Sequence, residues 1–442
     1  MRRRVAVVLL RAQALVAAIA LAVTISPSAA HAASVETTDT ISSTIGSTNV
    51  TPTWGPQTPK IVYDGSWYYT VTLDGSGTSY PWLARIWKSS DGETWTLAQT
   101  LGSRVYQAPG LILDSGNRLW LYVPCFTGGE CYPGVTTLSG GSNQYVYLQR
   151  LQFTSKLGDG SFNFSSWNDH SIRTTTAERY YGGLAIDPNR RYIYHAYSVN
   201  GWGLKFSTFD TWNNTETTSS IATPGSSPQE AYLYPRVRPG TSAGEVWMLF
   251  TQNYVGISST SNFGVQLWRS ADGGATWSAF MVASCPSPDD ENWCDAADLV
   301  IDSNNVPHVL YFTLTNDEPH LYYWKGSAGS VTLTGSPTDL GPYDNHSQIA
   351  GVGTGEKFVF GHEFAGMSND LVMLRDNSGG GWTDESFDIS GFGDIYSPNL
   401  LRPESGTFHS QGSEVFSMIM AASASGTSSP YTSLLFTTVE VD

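Results

Sequence analysis

Seven times along this chain a short apolar run is followed, after a Gly/Asn/Asp-rich turn, by a second run rich in Tyr, Trp, Phe and Val. Leu111-Ile112-Leu113 with Leu119-Trp120-Leu121-Tyr122 is one copy, and Leu299-Val300-Ile301 with Val309-Leu310-Tyr311 is another. With Ile61, Leu111, Leu184, Val237, Leu299, Ile349 and Leu400 as markers, successive copies lie 50, 73, 53, 62, 50 and 51 residues apart. Units of that length suit four-stranded sheets, and sheets that must bury both faces against their neighbours stack into a closed ring. No segment carries a long apolar period of 3.6 residues, so helices should be few. The expected fold is all-β, a seven-bladed β-propeller ahead of six or eight blades, with loop insertions in the longer second and fourth units.

Fold reasoning begins after residue 32. Arg2, Arg3 and Arg4 precede an apolar stretch over residues 5–23, interrupted by Arg11, and Ala30-His31-Ala32 is a small-residue cleavage site. Residues 1–32 thus read as a secretory signal and the chain as an exported one. The Ser/Thr-rich residues 33–53 read either as a lead-in or as the outer strand of the last blade, closing the ring beside residues 434–437. Residues 54–442 form a single propeller domain, since no linker composition divides them.

Charge narrows the partners. The chain has 39 acidic and 23 basic residues; the first 32 residues hold four arginines and no acid, so removing them leaves 19 basic groups and a net charge of −20. Bulk electrostatics therefore oppose binding to nucleic acid or to an anionic membrane. No later segment is long and apolar enough for a spanning helix, and a monomer is expected. The four cysteines form two local pairs, Cys125 with Cys131 and Cys285 with Cys294. Neither pair has the spacing or the nearby histidines of a zinc site, so both read as disulfides of an oxidising compartment.

Ser270-Ala271-Asp272-Gly273-Gly274-Ala275-Thr276-Trp277 fits the pattern Ser-x-Asp-x-Gly-x-Thr-Trp, and Ser89-Ser90-Asp91-Gly92-Glu93-Thr94-Trp95 is one residue shorter. A decayed copy stands at Asp376-Asn377-Ser378-Gly379-Gly380-Gly381-Trp382. Ser and Asp bond the amides of a tight hairpin there, glycines supply φ > 0, and Trp packs between sheets. On these turns the chain resembles the Asp-box, or BNR-repeat, β-propellers, which include sialidases and several polysaccharide lyases. The resemblance implies a structural role for Asp91 and Asp272, away from the active site.

A propeller binds ligands where its innermost strands begin, because loops from every blade converge there. The residues just before the markers include Arg104, Arg179 and Tyr181, Glu230, Tyr234 and Arg236, Asp295 and Asp298, Asp344, Asn345 and His346, and Tyr396. Aromatic rings stack on sugars, arginines clamp carboxylates, and carboxylates or imidazoles move protons. An extracellular glycan or polysaccharide is the expected partner. Arg104, Arg179, Tyr181, Arg236 and Asn345 are the expected binding residues.

Likeness to sialidases implies that Arg104, Arg179 and Arg236 hold a carboxylate, that Glu230 activates Tyr234 or a neighbouring Tyr as nucleophile, and that Asp298 is the acid. The Arg-Ile-Pro signature of that family is replaced by Thr58-Pro59-Lys60-Ile61. An exo-glycosidase removing a terminal, carboxylate-bearing sugar is the first reading. Likeness to the lyases implies β-elimination on a uronate polymer, with His346 and His362 in one mouth, Arg236 or Arg402 on the carboxylate and Tyr396 as acid. A non-catalytic glycan-binding propeller is the third reading. No cofactor or catalytic metal is expected; Asp302-Ser303-Asn304-Asn305 reads as an Asx-rich hairpin before it reads as a structural calcium loop.

Overall fold

In the computed structural model the described residues are 33–42 and 58–441, except for 75–81, 103, 129–130, 136–145, 173–181, 200–202, 223–229, 255–263, 286–291, 352–355, 363–369, 377–380, 390–391, 402–414 and 425–430. They form seven antiparallel sheets, six of four strands and one of five, arranged as a seven-bladed β-propeller. The seven sequence markers fall in the seven innermost strands: Ile61–Tyr63, Gly110–Leu113, Gly182–Ile186, Glu230–Pro239, Asn292–Ile301, Gln348–Gly351 and Phe392–Leu400.

The ring closes by strand exchange between the chain's two ends. Phe392–Leu400, Val415–Ala424 and Tyr431–Val441 build three strands of the seventh blade, and Ala33–Ser42 adds the outermost one, with Ser34 opposite Glu440 and Thr38 opposite Thr437. This closing strand joins the two ends of the chain into one hydrogen-bonded sheet, so the last blade cannot peel away without breaking a full ladder.

Middle strands are sandwiched between neighbouring blades, which explains their composition. Leu119–Phe126 is buried at every position, whereas the outer strand Thr96–Thr100 is largely exposed. Burial on both faces calls for continuous apolar runs; an edge strand needs none. Leu119, Leu121 and Leu151 are fully buried in the seam between the first two blades.

The two Ser-x-Asp turns join third to fourth strands in the first and fourth blades. In each, the Asp carboxylate accepts backbone amides (Thr94 N at 2.7 Å on Asp91, Thr276 N at 2.8 Å on Asp272) and the Ser hydroxyl accepts a glycine amide. Trp95 packs on Phe436 of the seventh blade and Trp277 on Phe206 of the third, with ring centroids 5.5 and 5.1 Å apart. Gly92 and Gly274 have φ of +81° and +93°, and a Cβ at either would collide with that same phenyl ring. The motif thus staples each of these blades to the one before it. Asp376 ends its strand on the same face; residues 377–380 of the decayed copy lie outside the described residues.

Both expected disulfides are formed. Cys125 and Cys131 tie the end of a second-blade strand to its loop, with Cα atoms 5.9 Å apart. Cys285 and Cys294, 6.1 Å apart, join the end of the fourth blade to the innermost strand of the fifth. Disulfides of this kind persist outside the reducing cytoplasm. Among the described residues no helix is long and apolar enough to cross a membrane.

Candidate functional site

The sixth blade begins in a turn that sequence alone presents as Asp344-Asn345-His346-Ser347. Ser347 closes it by donating both its amide (3.2 Å) and its hydroxyl (2.7 Å) to the Asp344 carbonyl. The Asp344 amide donates 3.0 Å to the carbonyl of His362, so the start of the innermost strand is locked to the end of the next one. Gly361 permits this approach, because a Cβ there would strike the Ser347 hydroxyl.

This turn places two imidazoles on one carboxylate. Asp344 Oδ1 accepts the His346 amide at 2.7 Å and also contacts His346 Nδ1, while Oδ2 lies 3.7 Å from His362 Nε2. Burial opposes the charge on Asp344, but the two imidazoles and their hydrogen bonds outweigh it and hold the carboxyl well below its usual range. An ionised carboxylate only accepts, so Nδ1 carries the hydrogen in the His346 contact. Burial pushes His362 below the ordinary histidine value, with Asp344 acting against that shift. His346 is part-exposed, its side chain 18% accessible, while His362 lies buried behind it.

The neighbouring residue extends the network into the fifth and fourth blades. Asn345 Nδ2 donates 2.8 Å to Asp295 Oδ2; Asp295 Oδ1 accepts the Thr251 hydroxyl and, at 2.8 Å, the Ala296 amide. Asp295 is buried, and burial raises its carboxyl's pKa against the opposing pull of Thr251, Asn345, Arg236 and His346.

Arg236 owes its position to a bulge. The pairing of Glu230–Pro239 with Val246–Tyr254 shifts register between Leu233 and Arg236, and Tyr234 there adopts φ of +52°. Pro235 occupies the irregular position, where a missing N–H costs no ladder bond. Its carbonyl packs so closely on Gly183 of the third blade that a Cβ would not fit. Arg236 emerges buried, and its charge reaches Asp295 on one side and Lys60 on the other.

Lys60, whose charge is felt by Arg236, is a buried cation that the sequence reading passed over. Its ammonium is buried and donates to the Ala108 carbonyl at 2.6 Å, to the Pro109 carbonyl at 3.3 Å and to the Thr58 hydroxyl. Burial first, then the charge of Arg236, depresses its pKa well below the lysine value. The signal was a charged residue immediately before the apolar marker Ile61, at the same place in its blade as the other mouth residues.

Other expected residues fare differently. Tyr234 is half-buried at the bulge, and Arg104 is half-buried at the mouth end of the second blade, its carbonyl accepting Phe126 N at 2.9 Å. Asp298, expected as an acid, is fully buried: Oδ1 takes Arg238 Nη2 at 2.6 Å and Oδ2 takes the Ile349 amide at 3.0 Å. It ties the innermost strands of three blades together and is closed to a sugar. Arg179 and Tyr181 lie outside the described residues, as do the side chains of Glu230 and Tyr396, whose backbones sit in innermost strands opposite Tyr254 and Ala421. Asp302 Oδ1 accepts the amides of Asn304 (2.9 Å) and Val306 (2.7 Å), as an Asx hairpin requires.

No protein-family model and no curated protein matches the chain. Solved structures do. Polysaccharide lyase Uly1 superposes with a TM-score of 0.61 at 10% identity, covering 92% of this chain and all of the lyase. A PL25 ulvan lyase bound to -[GlcA(1-4)Rha3S]- gives 0.56 at 10% identity over 90% of this chain and 94% of its own. The BP39L lectin from Burkholderia pseudomallei gives 0.50 at 10% identity over 84% and 97%. At these identities the likeness is one of fold, shared by enzymes and by a lectin that act on or bind carbohydrate.

Proposed function

We propose that the protein is an exported carbohydrate-active enzyme that cleaves a uronate-containing polysaccharide by β-elimination at this mouth. The observation that carries the reading is the pair of imidazoles from two adjoining strand ends held on the one buried carboxylate of Asp344. A carboxylate that fixes Nδ1–H leaves Nε2 of His346 as the basic nitrogen, the arrangement a general base needs.

In the proposed reaction His346 Nε2 removes the proton α to the uronate carboxylate. The electron pair of that C–H bond forms the new C=C bond, and the glycosidic C–O bond at the β-carbon breaks. A tyrosine hydroxyl, Tyr396 or Tyr234, returns a proton to the leaving oxygen. Arg236, with Arg104 or Arg179, would offset the carboxylate charge that grows as the α-proton leaves. Asn345 would bind a sugar hydroxyl. The likeness to two polysaccharide lyases over nearly their whole length supports this reading. The sialidase-like hydrolase ranks behind it because Asp298 is buried in an ion pair.

The test is a product-resolved incubation with ulvan, polygalacturonate and sialylated glycans. Elimination generates an unsaturated product that absorbs in the near ultraviolet. Release of reducing sugar without that absorbance would replace the lyase by a hydrolase; binding without either product would leave a glycan-binding propeller.

A further inference from the structure

Three neighbouring hairpins on the face opposite the mouth combine an exposed indole with part-exposed arginines. Trp212 is 59% exposed, more than any other large apolar side chain among the described residues. It follows the third strand of the third blade, Gly203–Asp210, which runs parallel to the innermost strand and so ends on the far face. Its indole N–H donates 3.2 Å to the Ser115 hydroxyl in the second blade, so the side chain bridges the seam. The Arg191 guanidinium covers it at 4.8 Å from the ring centroid and lies 4.9 Å from that of Tyr192.

The acids of these hairpins are buried. Asp114, Asp187 and Asp210 each accept a turn amide, from Gly116, Asn189 and Trp212 respectively. Arg118 and Arg191 pair with Asp114 and Asp210 at 2.7 and 2.5 Å, yet their side chains remain 24% and 29% accessible. Arg190 joins them from the same hairpin, held on the Leu113 carbonyl. Three of the chain's 23 basic residues thus stand on hairpins that touch one another, with Arg191 over the exposed ring itself and the carboxylates buried, in a protein of net charge −16. An exposed aromatic ring costs apolar exposure without a packing return, and arginine is the side chain suited to carboxylate and sulfate.

We propose that Trp212 and these arginines form a second glycan-binding site, on the face away from the mouth, for an anionic polysaccharide. A sugar ring would stack on the open face of the indole while a carboxylate or sulfate meets Arg191 and Arg118. An innermost strand of five residues spans about 16 Å, so the two sites are separated by at least that thickness and a long chain, not a short oligosaccharide, would engage both. The proposal does not depend on catalysis at the mouth.

The test is affinity electrophoresis of the full-length protein in gels containing ulvan, polygalacturonate or neutral dextran. Trp212→Ala should weaken retardation by ulvan or polygalacturonate at least fivefold with an unchanged near-UV spectrum, and Trp212→Phe should restore most of it. His346→Ala should keep the part of the retardation that depends on Trp212, which separates this site from the mouth. Equal retardation of Trp212→Ala and the parent protein would overturn the proposal, as would no retardation of the parent by either anionic polymer. Retardation by dextran as strong as by ulvan would overturn its anionic assignment. A failed elimination assay with Trp212-dependent retardation intact would remove only the catalytic reading.

Discussion

Arg238 reaches from the fourth blade to Asp298 of the fifth with a 2.6 Å ion pair whose two side chains are 5% and 1% accessible. The same guanidinium donates 2.8 Å to the Leu299 and Val237 carbonyls, and the Asp298 carboxylate also takes the Ile349 amide. Removing one partner leaves the other charged and buried, which costs about 3–5 kcal/mol. Asp298→Ala should therefore shift the urea midpoint strongly downward, whereas Arg238→Met with Asp298→Leu should recover most of it. Equal loss in the single and double variants would show that the charge is not the source of the effect.

The ring was legible in the sequence because two-sided burial writes itself as short apolar runs recurring in units of similar length, and all seven markers fall in innermost strands. The mouth was half legible. Asp344, Asn345 and His346 announce themselves by standing just before Ile349, and His362 by ending the next strand. Asp298 misled, because its spacing from Leu299 cannot reveal that Arg238 waits in another blade. Lys60 was missed since a lysine before a strand ordinarily points to water, and only the packed ring turns it onto the Ala108 carbonyl. Pairings across blades depend on ring closure, which local pattern does not encode.

Asp344 controls the two imidazoles, and this can be read without a substrate. Its charge opposes the burial that lowers His362, so Asp344→Asn should lower that histidine's titration midpoint further, as followed by NMR of the imidazole carbons. In a turnover assay the same change should cut kcat by about 100-fold or more, the scale of a general base that loses its orienting partner, with a smaller change in KM. An unaltered His362 midpoint would break the link between the two residues.

Acid should unfold the protein from an unexpectedly high pH. His195 is buried and desolvation lowers its pKa to about 3; His308, His362 and His170 are lowered by the same cause. Unfolded histidine takes a proton near pH 6.5 and the folded ones do not, so the unfolded state binds more protons below that pH. The stabilisation is complete above about pH 6.5 and drains away as pH falls toward 3. Asp344, with a lowered carboxyl, adds a further loss below about pH 4, while Asp295, raised by burial, opposes the slope just above that pH, between the ordinary carboxyl value and its own raised one. Urea midpoints between pH 7 and 4.5 should fall steadily, and His195→Gln should flatten the fall. A flat profile in the parent protein would refute the assignment.

The Cys285–Cys294 bridge holds the blade 4 to blade 5 connection one residue from Asp295. Replacing both cysteines by serine should cost about 2–4 kcal/mol, the usual effect of opening such a loop. Because Asn345 is anchored on Asp295, glycan affinity at the mouth should fall as well. The comparable change at Cys125 and Cys131 should lower stability but spare the fourth-to-sixth-blade network. Equal effects of the two replacements on affinity would argue against a local role for the first bridge.

Tyr234 holds φ of +52°, a left-handed conformation that costs a tyrosine on the order of 1 kcal/mol and costs glycine little. Such strain persists where the surroundings impose it, and here Pro235 packed on Gly183 and the register shift before Arg236 impose it. Tyr234→Gly should hold or raise the unfolding midpoint while reducing turnover, since the ring at the mouth is lost. Tyr234→Phe keeps the strain and the ring but removes the hydroxyl, so it should lower kcat only if that hydroxyl returns the proton to the leaving oxygen. Full activity in both variants would remove Tyr234 from the chemistry and leave Tyr396 as the acid to test.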